Sequence, residues 1–119
     1  MLVGSCACGA VSWTLRAPPD WLTRCTCSYC RRAGALWAHA DSADVATDYA
    51  PDAVVRYARG DRTLAFVSCA RCGCTTHWES LEPADHPRMA VNALMAEPDA
   101  IAGLRIRTFD GAESWSFLD

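Results

Sequence analysis

The chain predicts a mainly β domain of short antiparallel strands with little helix, held by metal as much as by its core. Two observations carry this expectation. Apolar and polar residues alternate over short stretches separated by turn residues, the pattern of half-buried strands. Eight cysteines fall into tight groups, a spacing that suits metal ligation better than disulfides, because closely neighbouring half-cystines strain against disulfide geometry.

The 119 residues are 51% hydrophobic, so one domain over residues 1–119 is expected, of a size that gains from a metal staple. The net charge is −3, and no nucleic-acid partner is expected without a basic face. The N-terminus has no basic stretch followed by an apolar run, and no apolar segment approaches the ~20 residues that span a bilayer. A cytoplasmic protein with reduced, metal-binding thiols and no membrane partner is the expectation.

Val11, Trp13 and Leu15 alternate with Ser12, Thr14 and Arg16, giving a strand that leaves the Cys6/Cys8 turn directly. Pro18-Pro19-Asp20 breaks it. Trp21 to Thr26 reads as a second strand that delivers Cys25 and Cys27, and Ser28 to Gly34 as a turn with one helical turn, returning Cys30. Ala35 to Ala40 reads as a strand, and Asp41 to Ala50 as loop or short helix. Val54 to Tyr57 and Leu64 to Ser68 form a hairpin around Arg59-Gly60-Asp61-Arg62. Cys69 to Gly73 is a tight knuckle, and Thr75 to Ser80 the next strand. Pro83 to Pro87 is loop, and Arg88 to Ala93 a strand. Asp99 to Leu104 follows Pro98 as helical turns, and the segment to Phe109 alternates as a last strand. Asp110-Gly111 turns, and Trp115, Phe117 and Leu118 dock the tail.

Cys25-x-Cys27-x-x-Cys30 places three thiolates within six residues. They can wrap one tetrahedral ion and leave its fourth position free, as catalytic zinc sites do. Cys6-x-Cys8 and Cys69-x-x-Cys72 supply four more thiolates, enough for a closed structural site. Spacing alone also lets Cys6 and Cys8 join the middle cluster. Thiolates can hold iron as well as zinc.

Gly4-Ser5-Cys6-Ala7-Cys8-Gly9-Ala10-Val11, Cys25-x-Cys27-Ser28-x-Cys30-Arg31-Arg32 and Cys69-x-x-Cys72-Gly73-Cys74-x-Thr76-His77-Trp78 occur in this order, followed by Ala90-Val91-Asn92-Ala93 and Ile101 to Arg105. Together they resemble the glutathione-dependent formaldehyde-activating enzyme family, which shares its domain with centromere protein V. The resemblance implies the zinc-binding β-tent fold and two Zn²⁺ per chain. A structural zinc would sit on Cys6, Cys8, Cys69 and Cys72, and a catalytic one on Cys25, Cys27 and Cys30. It implies a carbon–sulfur lyase like S-(hydroxymethyl)glutathione synthase, with a small thiol such as glutathione and an aldehyde as partners.

Arg31 and Arg32 are candidates to bind an anionic thiol through paired hydrogen bonds; surface solvation is the competing reading. Cys74 stands where the family leads us to expect Thr. It is read as a small core residue, or else as a fourth ligand closing the open site. His77 is read as a hydrogen-bonding strand residue rather than a ligand. Trp37 and Trp78 are read first as core and second as pocket wall. His39 and His86 belong to no motif. The family's formaldehyde-activating enzymes are longer, so the zinc framework transfers better than their substrates. The competing functions are a zinc-stabilised binding module and a redox protein using Cys27-x-x-Cys30.

Overall fold

A computed structural model describes residues 1–119. Strands hold 42% of the residues and helical turns 16%, which bears out a mainly β chain. In order they are β1 (Leu2–Ser5), β2 (Ser12–Leu15), β3 (Trp21–Cys25), α1 (Ser28–Ala33), β4 (Trp37–Asp41), β5 (Val45–Asp48), β6 (Val54–Ala58), β7 (Leu64–Cys69), β8 (Thr75–Ser80), β9 (Arg88–Asn92), α2 (Pro98–Ile101) and β10 (Arg105–Phe109).

The strands form two sheets. One has the order β1-β2-β5, the other β10-β3-β4-β9-β8-β7-β6. All pairs are antiparallel except β10 with β3, which runs parallel. In that pair the register runs from Arg105↔Trp21 to Phe109↔Cys25, so both strands end beside the Cys25 cluster.

Alternation along the strands gives the large sheet two unlike faces. Leu22, Ala38 and Val91 point to the small sheet and pack with Leu2, Trp13 and Leu15. Gly4 lies opposite Trp13, and a Cβ there would meet the indole at 2.4 Å. Val67 and Cys69 extend this layer to Cys6, Val11 and Val54. The other face carries Cys30, Trp37, Phe66 and Ala90, with Cys25, Leu64 and Trp78 partly buried around them. Helix α1 lies on this second face. Its Tyr29 stacks on Phe66 with ring centroids 4.0 Å apart, and its phenol meets Thr75 Oγ1 at 3.2 Å.

Two elements depart from the sequence reading. Asp41 to Ala50 contains a 3₁₀ turn at Ser42–Asp44 and then β5, which pairs with β2 from Ser12↔Asp48 to Leu15↔Val45. Leu2–Ser5 adds β1, so Cys6 and Cys8 occupy a turn between two strands rather than the start of the first strand.

Candidate metal centres

Cys6 and Cys8 sit in the β1–β2 turn, while Cys69 ends β7 and Cys72 lies in the β7–β8 turn. Both turns need a glycine in the left-handed region just after the last cysteine, Gly9 at φ 82° and Gly73 at φ 81°, where a side chain is disfavoured. The glycine amides close the turns, Gly9 N–H to Cys6 O at 3.1 Å and Gly73 N–H to Cys69 O at 2.9 Å. Backbone amides then aim at sulfur, with Val11 N–H donating to Cys6 Sγ at 3.3 Å and Arg71 N–H to Cys69 Sγ at 3.4 Å. The amides of Cys74 and Cys8 pull the Cys72 thiol down to about 5.

The four sulfurs lie within 4.8 Å of one another. Cys6 Sγ and Cys8 Sγ are 3.8 Å apart, and Cys8 Sγ and Cys69 Sγ 3.6 Å. Tetrahedral zinc with Zn–S of ~2.3 Å requires sulfurs about 3.8 Å apart. This cluster could therefore hold such an ion, and the alternative of Cys6 and Cys8 joining the middle cysteines is set aside.

The second group is Cys25, Cys27 and Cys30, again within 4.8 Å of one another. Cys25 ends β3, Cys27 caps α1, and Cys30 lies inside α1. Cys30 N–H donates to Cys27 Sγ at 3.4 Å, and Trp37 Nε1–H donates to Cys30 Sγ at 3.3 Å. Gly34 ends α1 with φ 66° and returns its N–H to Cys30 O at 3.0 Å. A hydrogen bond from the Cys30 thiol lowers Cys25 to about 6; burial opposes this, and the amides of Cys27 and Gly111 assist it. The proton shared with Cys25 drives Cys30 upward in turn. No other His, Cys, Asp or Glu joins this cluster. Three soft donors could hold a zinc ion and leave one coordination position to a further ligand.

Cys74 is half-buried against the Cys6–Val11–Cys69 layer and does not reach the three-thiol cluster. His77 is fully buried. Its Nδ1 meets Thr76 Oγ1 at 2.8 Å and its Nε2 meets Glu79 Oε1 at 2.9 Å, so both ring nitrogens are engaged in hydrogen bonds.

The three-thiol cluster opens on a cleft of about 820 Å³, within the usual range for small-molecule sites. Trp37 and Trp78 both line it, although Trp37 is only 2% exposed and so serves core and wall together. Arg31 and Arg32 do not line this cleft. Both are exposed; Arg32 Nη1 donates back to Ser28 O at 2.8 Å, and Arg31 borders a smaller hollow behind Cys25 and Cys30.

The sequence reading missed several cleft residues. His39 follows Trp37 by two residues on β4, faces the cleft, and sets its ring edge-on to Trp78 at 5.8 Å. Burial first, and repulsion by Arg88 second, pull its imidazole down to about 4, so it is neutral at pH 7. Thr23 lies opposite Trp37, and its buried Oγ1 has no partner. Gly111 lies so close that a Cβ there would meet Cys25 Sγ at 2.8 Å. Strand alternation was the signal available for His39, since Trp37 and His39 share a face. Gly111 gave no signal beyond a turn.

The two sheets and the two sulfur clusters define a small mainly β protein whose grouped cysteines could hold metal ions. The chain belongs to the glutathione-dependent formaldehyde-activating enzyme family, whose model matches residues 1–105. It is similar to a crystal structure of a Rhodobacter sphaeroides protein solved as a structural genomics target, with 28% identity and a TM-score of 0.70, over 88% of this chain and 99% of that one. No match was found among curated proteins.

Proposed function

We propose that the protein is a zinc-dependent carbon–sulfur lyase that joins a small thiol to an aldehyde, or cleaves the adduct, at the Cys25/Cys27/Cys30 cluster. One observation carries this reading: three convergent sulfurs without a fourth protein ligand border an open cleft. Family membership supports it. Zinc held by these three thiolates would supply a soft Lewis acid that keeps an incoming thiol ionised near neutral pH. The other site, on Cys6, Cys8, Cys69 and Cys72, is read as structural zinc.

The chain's own groups fit the rest of the chemistry. In the synthetic direction a C–S bond forms, the carbonyl π bond breaks, and the thiol's proton ends on the former carbonyl oxygen. Trp37 fixes Cys30 through its indole N–H, and the Gly111 amide contributes to holding Cys25 ionised. Thr23 lies beneath the cleft opposite Trp37, with its hydroxyl buried. Neutral His39, on the same face of β4 as Trp37, has one ring N–H that can donate a hydrogen bond to the former carbonyl oxygen.

The test combines metal analysis with product detection. Purified protein should contain two zincs per chain. A mild chelator should remove one while the fold survives, and thiol-dependent consumption of an aldehyde should stop with it. Two equally resistant zincs and no adduct would leave a zinc-stabilised binding module. A single zinc, with the triplet oxidised, would favour the redox reading.

A further inference from the structure

Arg88 is the one permanent cation among the cleft residues, against Asp20, Asp44 and Asp61. Glutathione carries two carboxylates and one ammonium, so at neutral pH it is an anion facing a rim of its own sign. Arg107 does not redress the balance. Its guanidinium donates to the backbone oxygen of Asp119 at 2.8 Å and 3.0 Å, and lies over the rings of Trp21 at 4.6 Å and Phe117 at 4.0 Å.

The walls are aromatic instead. Trp21, Trp37, Phe66, Trp78, Phe109 and Trp115 all line the cleft. Trp115 is the unusual one. It is 70% exposed and holds φ at 54°, a left-handed conformation that is strained for a bulky side chain. Three contacts keep it there. Trp115 N–H donates to Asp110 O at 2.7 Å, its ring meets Phe109 edge-on at 5.1 Å, and Thr26 Oγ1–H ties the turn to β3 through Asp110 Oδ1 at 3.0 Å. The point where a Gly111 Cβ would stand is 3.5 Å from the Trp115 ring and 2.8 Å from Cys25 Sγ. The indole thus stands beside the open sulfur cluster with an uncovered surface. It belongs to residues beyond the 1–105 family match.

We infer that this cleft takes a thiol bearing an apolar, aromatic body and no carboxylates, in place of glutathione, and that Trp115 is the specificity-determining wall against which that body packs. The inference rests on the reaction site proposed above and names its ligand class. Stacking on aromatic walls rewards a ring, whereas the acidic rim penalises an anion.

Zinc-loaded protein is titrated calorimetrically with benzyl mercaptan and with glutathione, which share the thiol and differ in body and charge. Benzyl mercaptan should bind at least about tenfold more tightly, and Trp115→Gly, which also relieves the strained φ, should cost it about fivefold. Glutathione binding should strengthen as salt rises, because repulsion is screened. Equal or tighter glutathione binding, or glutathione binding that weakens with salt, would overturn the ligand class. An unchanged benzyl mercaptan affinity in Trp115→Gly would overturn the role of Trp115. Tight benzyl mercaptan binding without any aldehyde adduct would sink the reaction and leave the ligand class standing. Tight glutathione binding with adduct formation would do the reverse, and binding of neither thiol would remove both.

Discussion

Single atoms decide how the three-thiol cluster holds its charge. Trp37 Nε1–H is the donor to Cys30 Sγ at 3.3 Å. Trp37→Phe keeps an aromatic ring and deletes that donor, and a hydrogen bond to a charged group is worth ~1.5–3 kcal/mol. We expect about tenfold weaker zinc retention at this cluster, measured by chelator competition, with the four-cysteine site unchanged; equal retention would show that the indole is there for packing only. Gly111→Ala places a methyl 2.8 Å from Cys25 Sγ and 3.2 Å from Cys27 Cβ. It should lower the zinc count toward one per chain and leave the thermal transition of the rest intact, whereas two retained zincs would mean the loop gives way freely. The cysteine groups were legible because each is set by local spacing. The Gly111 contact was not, because it joins residues more than eighty positions apart and depends on where the β10 tail lands.

At the level of elements, one four-cysteine cluster that could hold a metal ion joins the two sheets. Its cysteines come from the β1–β2 turn and from the end of β7 and the turn after it, across the layer of Val11, Val54 and Val67. Zinc in such a site contributes an apparent ~10–16 kcal/mol, as much as the ~5–15 kcal/mol net stability of a domain. Cys72→Ser should therefore abolish cooperative unfolding at 37 °C, followed by circular dichroism and near-ultraviolet signals; a metal-free variant with a sharp transition would contradict the structural role. Most strands were readable from alternation, because β2, β3, β7, β8 and β9 each bury one face or both. β5 was not. Val-Ala-Thr-Asp is short and mostly exposed, and its strand state comes from pairing with β2 rather than from its own pattern. The parallel β10–β3 pair was equally hidden, since register between distant segments leaves no local mark.

For the molecule as a whole, acid is the solvent change that exposes how the cleft is built. His39 is depressed to about 4 from 6.5 by burial and by Arg88, and Glu79 to about 2 from 4.5, chiefly by its hydrogen bond from His77. Both folded-state values lie below the unfolded ones, so in each case the unfolded chain binds the proton more readily, and stability falls as pH falls. The His39 contribution is complete above pH 6.5 and is lost as pH drops through 4; the full shift corresponds to about 3 kcal/mol. Glu79 acts lower, between 4.5 and 2. Acid also protonates the cysteine thiolates that would hold a metal, which would swamp either effect in the wild type alone. A difference curve removes that common loss. The unfolding free energy of the wild type minus that of His39→Gln should be level above pH 6.5 and fall steadily from there to pH 4, while Glu79 and the cysteines cancel between the two proteins. A flat difference would mean that His39 takes its proton in the fold as easily as in water. It would then be a cation at mildly acidic pH, and the cleft would gain a second positive group beside Arg88 against Asp20, Asp44 and Asp61, which would weaken its repulsion of anionic thiols in acid without reversing it.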